Sequence, residues 1–217
     1  MPLEKMDDFF AARVDGYDEH MLRDVGGCRN GYKVMADEIS ELSPARILDL
    51  GCGTGLELDA IFALCPDVYV KGIDMTAAML EKLREKHPGK KLELILGDYF
   101  VEPFGNDFDA AVSFQSLHHF TPEKKLGLYR KLFAALRPGG RFLDCDYMCE
   151  TDEQQEWFRN EYERLKKEQD LSDGLFHFDT PLAEKNEMSL LEKAGFTDVR
   201  IIFKEEHTVM ISAVKPE

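Results

Sequence analysis

Residues 47–55 read Ile-Leu-Asp-Leu-Gly-Cys-Gly-Thr-Gly, a short apolar run containing an acid and followed by glycines at alternate positions. Gly51, Gly53 and Gly55 have no Cβ atom, so the backbone can turn sharply there and a ligand can press against it. A helix that starts after such a turn presents free N–H groups and the positive end of its dipole to that ligand. The stretch therefore predicts a strand, a loop and a helix that bind a nucleoside with a polar or anionic tail, either a pyrophosphate or an amino-acid carboxylate.

The rest of the chain alternates between short apolar runs and helical patterns. The runs predicted as strands are 45–50, 68–73, 92–96, 108–113 and 140–146, and the helical patterns between them are 55–65, 76–87 and 122–136. Strands that alternate with helices indicate a parallel sheet covered on both faces. We therefore predict an α/β fold with a doubly wound, mainly parallel sheet of seven strands, the last two being an antiparallel hairpin at 197–204 and 207–214.

One domain is expected over residues 1–217, because no linker or repeat interrupts the pattern. Its parts are a helical N-terminal cap at 1–43, broken near Gly26-Gly27, and a cofactor-binding core at 44–147. An inserted segment, 148–180, contains a charged helix at about 151–169 and a loop at 171–179, and is a candidate lid. A closing helix that starts at Thr180-Pro181 and the two last strands occupy 181–217.

Composition limits the class of partner. The chain has 217 residues with 42 acidic and 27 basic side chains, a formal net charge of −15. This average field repels nucleic acid and anionic membranes, so a small neutral or cationic molecule is the expected partner. Five scattered cysteines without a C-x-x-C pair are typical of reduced thiols, and neither a signal peptide nor a membrane span is evident. We expect a cytoplasmic protein, and the oligomeric state stays open.

The chain resembles class I S-adenosylmethionine-dependent methyltransferases over nearly its whole length. Four stretches carry the resemblance: Asp49 to Gly55, Gly72-Ile73-Asp74, Leu96 to Tyr99, and Phe108 to Phe120 with the following Leu136 to Gly140. They follow predicted strands, where ligands bind in open α/β sheets. The resemblance implies a Rossmann-like fold, S-adenosylmethionine as cofactor and S-adenosylhomocysteine as product.

The resemblance also assigns roles to residues. Asp74 would accept hydrogen bonds from the ribose hydroxyls, and Asp98, beside Gly97, would accept one from the adenine amine. Met75 and Tyr99 would contact the adenine ring. The remaining residues expected at the methionine end of the cofactor are Asp49, Gly51, Cys52, Gly53, Gly55, Gln115, Tyr17 and Arg13. Tyr17 with Arg13 would close over the carboxylate of the methionine. Cys52 is also typical of a small side chain that fills space in such a loop.

An oxidoreductase that binds a nicotinamide or a flavin is the rival in the same fold. Its loop needs the pattern G-x-G-x-x-G, and counting from Gly51 the third glycine would fall at Leu56. The sequence therefore favours the methyltransferase interpretation.

Methyl transfer from a sulfonium is an in-line displacement in which positioning is the main catalytic effect. His118 and His119 follow the fourth strand, and since adjacent residues point different ways, at most one of them is expected in the pocket. His119 is preferred as a base or substrate contact, and Asp146 as a base or a site for a cationic amine. A metal site built from His118, His119, Asp146 and His177 is conceivable, but without a close-spaced ligand signature no metal is predicted.

The prediction is thus a methyltransferase acting on a small molecule. A methyltransferase acting on tRNA or protein, or a regulatory protein that binds S-adenosylmethionine without catalysis, remains as an alternative. The acceptor and its reacting atom are not indicated by the sequence.

Overall fold

The structure is a computed structural model that describes residues 2–171 and 174–217, so part of the predicted loop 171–179 lies outside the described residues. The helices are α1 (Met6–Ala11), α2 (Val14–Arg23), α3 (Cys28–Glu41), α4 (Leu56–Leu64), α5 (Ala77–Lys86), α6 (Pro122–Ala135), α7 (Asp152–Glu168) and α8 (Glu184–Ala194). The strands are β1 (Arg46–Leu50), β2 (Tyr69–Asp74), β3 (Lys91–Leu96), β4 (Phe108–Phe114), β5 (Leu136–Tyr147), β6 (Thr197–Glu205) and β7 (Thr208–Val214).

The seven strands form one sheet in the order β3-β2-β1-β4-β5-β7-β6. Strands β1 to β5 are parallel, and β7 is antiparallel to both of its neighbours, β5 and β6. The mainly parallel, seven-stranded sheet predicted from the alternation is therefore confirmed. The strand order reverses beside β1, and this switch point opens a crevice at the carboxyl ends of the central strands.

Both faces of the sheet are covered by helices. Successive side chains of β1 enter opposite layers: Ile47 belongs to the apolar layer that includes α3 and α4, whereas Leu48 and Leu50 belong to the layer that includes α6 and α8. This is the period-two alternation of a strand that is buried on both sides. The two layers fix the ends of β1 and α4, and with them the loop at 51–55.

The predicted start of the closing helix at Thr180-Pro181 is wrong, since α8 begins at Glu184. Residues 180–183 form an extended connection instead. The backbone N–H and the hydroxyl of Thr180 both donate to the carbonyl of His118, at 2.9 and 3.1 Å. Because these groups are bound to a distant loop, Thr180 does not cap a helix.

Candidate active site

A cavity with about 600 Å³ of empty space lies at the carboxyl ends of β1 to β4. Its lining comes from the loops that follow each of these strands and from the N-terminal helices. Among the predicted cofactor residues, those on its wall are Gly51, Gly53, Asp74, Met75, Gly97, Asp98, Tyr99, Gln115 and Tyr17. Residues far apart in sequence thus meet at the switch point of the sheet.

The floor of this cavity is the glycine loop. Gly51 and Gly53 have φ angles of +70° and +44°, which L side chains rarely adopt. A Cβ atom at Gly51 would lie 2.1 Å from Oγ of Ser116, whereas one at Gly53 would meet no atom closer than 3.9 Å. Glycine at 51 therefore allows the loop to pack against the loop after β4, and glycine at 53 leaves space open at the cavity.

Asp74, at the end of β2, fixes the same loop. Its Oδ2 accepts from the backbone N–H of Gly53 at 2.9 Å, and its Oδ1 accepts from the N–H of Thr76 at 2.8 Å. Burial raises the pKa of this carboxyl above its ordinary value, while the two backbone donors oppose the rise. Each carboxylate oxygen has a further lone pair, so Asp74 can still accept from the hydroxyls of a ribose.

Replacing Asp74 with alanine is expected to weaken S-adenosylmethionine binding by about 10-fold to 100-fold, since hydrogen bonds to a charged group contribute about 1.5 to 3 kcal/mol. Isothermal titration calorimetry measures the change. The matched control is Asp67→Ala, because Asp67 is exposed and does not line the cavity. Equal affinities of the two variants would remove Asp74 from the cofactor site.

The opposite wall of the cavity combines a carboxyl with apolar surface. Asp98 Oδ1 accepts from the N–H of Phe100 at 2.8 Å, a turn that holds the carboxyl at the cavity. The Tyr99 hydroxyl lies 3.1 Å from Oγ of Ser116, and the Tyr99 ring packs on Phe120 with centroids 5.8 Å apart. This pairing of a carboxylate with rings suits the amino group and the faces of an adenine.

A cover built from two segments lies over the crevice. The N–H of Met6 in α1 donates to the carbonyl of Leu175 at 3.0 Å, and the N–H of His177 donates to the carbonyl of Glu4 at 2.9 Å. In α2, Asp18 accepts from the Thr54 hydroxyl of the glycine loop at 2.5 Å. The N-terminal helices and the segment after α7 are thus joined to each other and to the cofactor loop.

Arg13 is not where the sequence predicts it. Its guanidinium lies 2.9 Å from Oε1 of Glu4 and 3.6 Å from the centroid of the Phe9 ring. It borders a second, larger cavity and does not line the first one. Glu4 and the ring of Phe9 hold the Arg13 side chain away from the site predicted for the methionine carboxylate of the cofactor.

Asp49, Cys52 and Gly55 also lie behind the cavity wall and do not line it. The Cys52 sulfur is buried, and it lies 2.7 Å from the position a Cβ at Gly72 would take. Cys52 therefore packs against β2, in agreement with its interpretation as a small side chain that fills space.

Asp49 belongs to a buried pair of acids that sequence reasoning missed. Both oxygens of Asp49 and Oε1 of Glu57 are buried without a hydrogen-bond partner among the described residues. Burial, with the charge of Glu57, raises the pKa of Asp49, and burial raises the pKa of Glu57 to about 7. Two acids in the otherwise apolar helix α4, Glu57 and Asp59, were the available signal. Neither Asp49 nor Glu57 lines the smaller cavity, so neither is placed to contact a ligand there directly.

The second cavity has about 1690 Å³ of empty space and adjoins the first. The residues that line both are Phe10, Tyr17, Gln115 and His119. His118, Tyr147, His177 and Asp179 line only the larger one. His119 therefore stands where a molecule in the larger cavity would meet one in the smaller.

His118 and Asp146 form a buried pair beside this junction. Nδ1 of His118 lies 2.5 Å from Oδ1 of Asp146, and its Nε2 lies 3.4 Å from Oδ1 of Asp179. Burial opposes charge on the imidazole, but the charge and hydrogen bond of Asp146, joined by those of Asp179, raise the pKa of His118 to about 10. His118 is therefore an imidazolium between two carboxylates at neutral pH.

The predicted role of Asp146 as a base or an amine site does not fit its surroundings. Its Oδ2 accepts from the N–H of Leu117 at 2.9 Å, while Oδ1 accepts from the N–H of Tyr147 at 2.9 Å and contacts His118. Asp146 is fully buried and does not border either cavity. It is a positioning residue for the turn Leu117–His119.

As expected, only one of the two histidines, His119, lines the smaller cavity, whereas both line the larger one. They lie in one 3-10 turn with ring centroids 3.9 Å apart. Burial, with the charge of His118, lowers the pKa of His119 to about 3. His119 is therefore neutral, and its Nδ1 lies 3.1 Å from the carbonyl of Phe178, which leaves Nε2 as an acceptor when Nδ1 carries the proton.

Residues 47–140 match the family described as "Methyltransferase domain", and this match together with the similar proteins supports a class I S-adenosylmethionine-dependent methyltransferase. S-adenosylmethionine is the cofactor of this class, and the cavity with its glycine loop and two carboxyls fits it.

The particular relatives agree with this class. The carboxy-S-adenosyl-L-methionine synthase of Campylobacter curvus (strain 525.92) is 26% identical over 218 residues, which cover 94% of this chain and 92% of the relative. A candidate O-methyltransferase from Nostoc punctiforme PCC 73102 has a similar structure, with a TM-score of 0.74 at 20% identity over 98% of this chain and 62% of that one. Human N-acetylserotonin methyltransferase, solved with its cofactor, gives a TM-score of 0.66 at 17% identity over 96% of this chain and 55% of that one. The chain thus spans less than two thirds of these two solved structures.

In the described residues, 2–171 and 174–217, every helix is too short or too polar to cross a membrane.

Proposed function

We propose that this enzyme transfers a methyl group from S-adenosylmethionine to a small-molecule acceptor that occupies the larger cavity. The proposal rests on the contact between the two cavities. Both cavities are lined by His119, Gln115, Tyr17 and Phe10. A cofactor in the smaller cavity and an acceptor in the larger one would meet at these residues. The net charge of −15 favours a small molecule over tRNA as the acceptor.

When bound, the cofactor supplies an electrophilic methyl group on a positively charged sulfur. The residues of the chain then have to hold an acceptor in line and exclude water. In this proposal Asp74 and Asp98 hold the sugar and the base. The cover of α1 with the segment after α7 limits access of water.

His119 is proposed to orient the acceptor through a hydrogen bond. Its neutral imidazole can accept a hydrogen bond from an acceptor hydroxyl or amine, and its ring is held by the carbonyl of Phe178 and by the ring of His177, whose centroid lies 5.0 Å away. With a pKa of about 3 it stays neutral across the physiological range, so it positions the acceptor and is a weak base.

Replacing His119 with alanine is expected to lower turnover by about 100-fold, the scale of a misplaced reactant, and to leave cofactor affinity within about threefold of wild type. Turnover is measured as S-adenosylhomocysteine released in the presence of a small-molecule filtrate of a cell extract. Cofactor affinity is measured by calorimetry. Full activity of the variant would remove His119 from the mechanism.

A second candidate reaction is suggested by the relatives that cover almost the whole chain. Several of them are named carboxy-S-adenosyl-L-methionine synthase, a name that implies a carboxylated cofactor as the product. Arg13 borders the larger cavity and is a cation that such a carboxylate could approach. Mass spectrometry separates the two reactions: methyl transfer releases S-adenosylhomocysteine, whereas carboxylation, which consumes a second substrate as carboxyl donor, gives S-adenosylmethionine heavier by the mass of CO2.

A further inference from the structure

Three potential metal ligands converge at the wall of the larger cavity. His118 and His119 come from the turn after β4, and Asp179 comes from the segment between α7 and α8. One ligand atom from each residue lies within 4.8 Å of the others. Among the described residues, this is the one group of three or more histidine, cysteine or acidic side chains placed in this way.

We propose that His118, His119 and Asp179 bind one divalent transition-metal ion, such as Zn²⁺, whose open position faces the larger cavity. Two imidazoles and one carboxylate form a common ligand set for zinc and iron, and it leaves coordination positions for a further ligand. As far as it concerns the acceptor, this inference rests on the proposed function and changes one role in it: with the ion bound, His119 holds the metal, and the open position of the metal, in place of His119 itself, would take an oxygen of the acceptor, a hydroxyl or a carboxylate. The metal site itself does not depend on methyl transfer.

The separation of the donor atoms supports the site. With bonds of about 2.0 to 2.2 Å, two ligand atoms of a tetrahedral zinc ion are roughly 3.3 to 3.5 Å apart. Nε2 of His118 lies 3.4 Å from Oδ1 of Asp179. Nδ1 of His119 lies 3.5 Å from the same carboxylate oxygen, and Asp179 can adjust its position because its side chain is 40% exposed.

The outer contact of His118 also matches that of a metal ligand. A ligating histidine usually donates its other ring N–H to a carboxylate or a backbone carbonyl. Nδ1 of His118 contacts Asp146 at 2.5 Å, which turns Nε2 toward Asp179. The His118 ring is therefore held in place before any ion binds.

The ligand types also indicate which kind of metal would bind. Imidazole donors select a transition metal over Mg²⁺ or Ca²⁺.

The test is calorimetric titration of the metal-free, tag-free full chain with ZnCl2, followed by Co²⁺ titration monitored by visible absorption. We expect one Zn²⁺ per chain with a Kd of roughly 1 µM or below, a tetrahedral Co²⁺ spectrum, and no comparable binding of Mg²⁺. Asp179→Asn is expected to weaken Zn²⁺ binding at least 10-fold. Because Asp179 is partly exposed, this variant should keep its fold, which circular dichroism checks.

The matched control is His20→Gln, which removes an exposed imidazole that pairs with Asp24 outside the cluster. It should bind Zn²⁺ as the wild type does. Absence of stoichiometric Zn²⁺ binding, or binding that Asp179→Asn does not weaken, would overturn the site. Because these titrations contain neither cofactor nor acceptor, their failure is separate from a failure of methyl transfer. Loss of acceptor turnover on removal of the metal with a chelator would support the acceptor contact, and unchanged turnover would overturn it.

Discussion

Gly53→Val is expected to abolish S-adenosylmethionine binding, with affinity falling at least about 100-fold, or about 2.8 kcal/mol. The new side chain would point into space that the protein leaves open, since the nearest atoms to a Cβ there are the Gly51 carbonyl at 3.9 Å and Tyr17 at 4.0 Å. The substitution therefore blocks the ligand more than it disturbs the protein. Calorimetry with S-adenosylmethionine measures the loss.

The control for backbone strain is Gly89→Val. Gly89 also has a positive φ, +82°, and no atom lies within 4 Å of a Cβ built there. Both variants should lose a similar stability, about 1 to 2 kcal/mol for a left-handed residue, but Gly89→Val should bind the cofactor normally. If Gly53→Val also bound normally, the cofactor could not lie against this loop.

Asp146→Asn is expected to lower the free energy of unfolding by about 3 to 5 kcal/mol, since removing one partner of a buried ion pair leaves the other charge without compensation. For a chain of this size, that is a fall in melting temperature of roughly 6 to 20 °C. Asp24→Asn is the matched control, because Asp24 pairs with His20 and Arg23 at the surface, where an ion pair contributes about 1 kcal/mol or less. Equal melting temperatures of the two variants would contradict the buried pair.

The same pair predicts a pH dependence. The pKa of His118 in the folded chain, about 10, is above its ordinary value of 6.5, so the folded state binds more protons between these values than the unfolded state does. The stability that the pair contributes is present in full below about pH 6.5 and is lost as the pH rises through about 10. Chemical denaturation across this range should show a steeper fall for the wild type than for Asp146→Asn. Parallel curves would show that His118 does not hold a proton in the folded state.

Local features of the sequence predict well which residues line the smaller cavity. The glycines at 51 and 53 and the acid at 74 are placed by short-range geometry, because each lies at the end of a strand or within three residues of it. The carboxyl ends of parallel strands meet at one edge of the sheet, so the position along the chain was enough to predict that these residues line a common cavity.

Side chains whose position depends on distant partners were less predictable. Arg13 is flexible enough to reach several acids, and Glu4 with Phe9 hold it at the larger cavity. The contacts of Asp146 with His118 and of His118 with Asp179 join residues from separate elements. Sequence spacing carries no signal for such a cluster, and the folding of the segment after α7 over the turn at 117–119 creates it.

Passage of a methyl group from the smaller cavity to a molecule in the larger one can be followed with an isotope. The purified enzyme is incubated with S-adenosylmethionine carrying a deuterated methyl group and a small-molecule filtrate of a cell extract, and the products are analysed by mass spectrometry. We expect S-adenosylhomocysteine and one acceptor that carries the labelled methyl, both lost in Gly53→Val. Intact S-adenosylmethionine together with stabilisation of the protein by NADH would contradict methyl transfer.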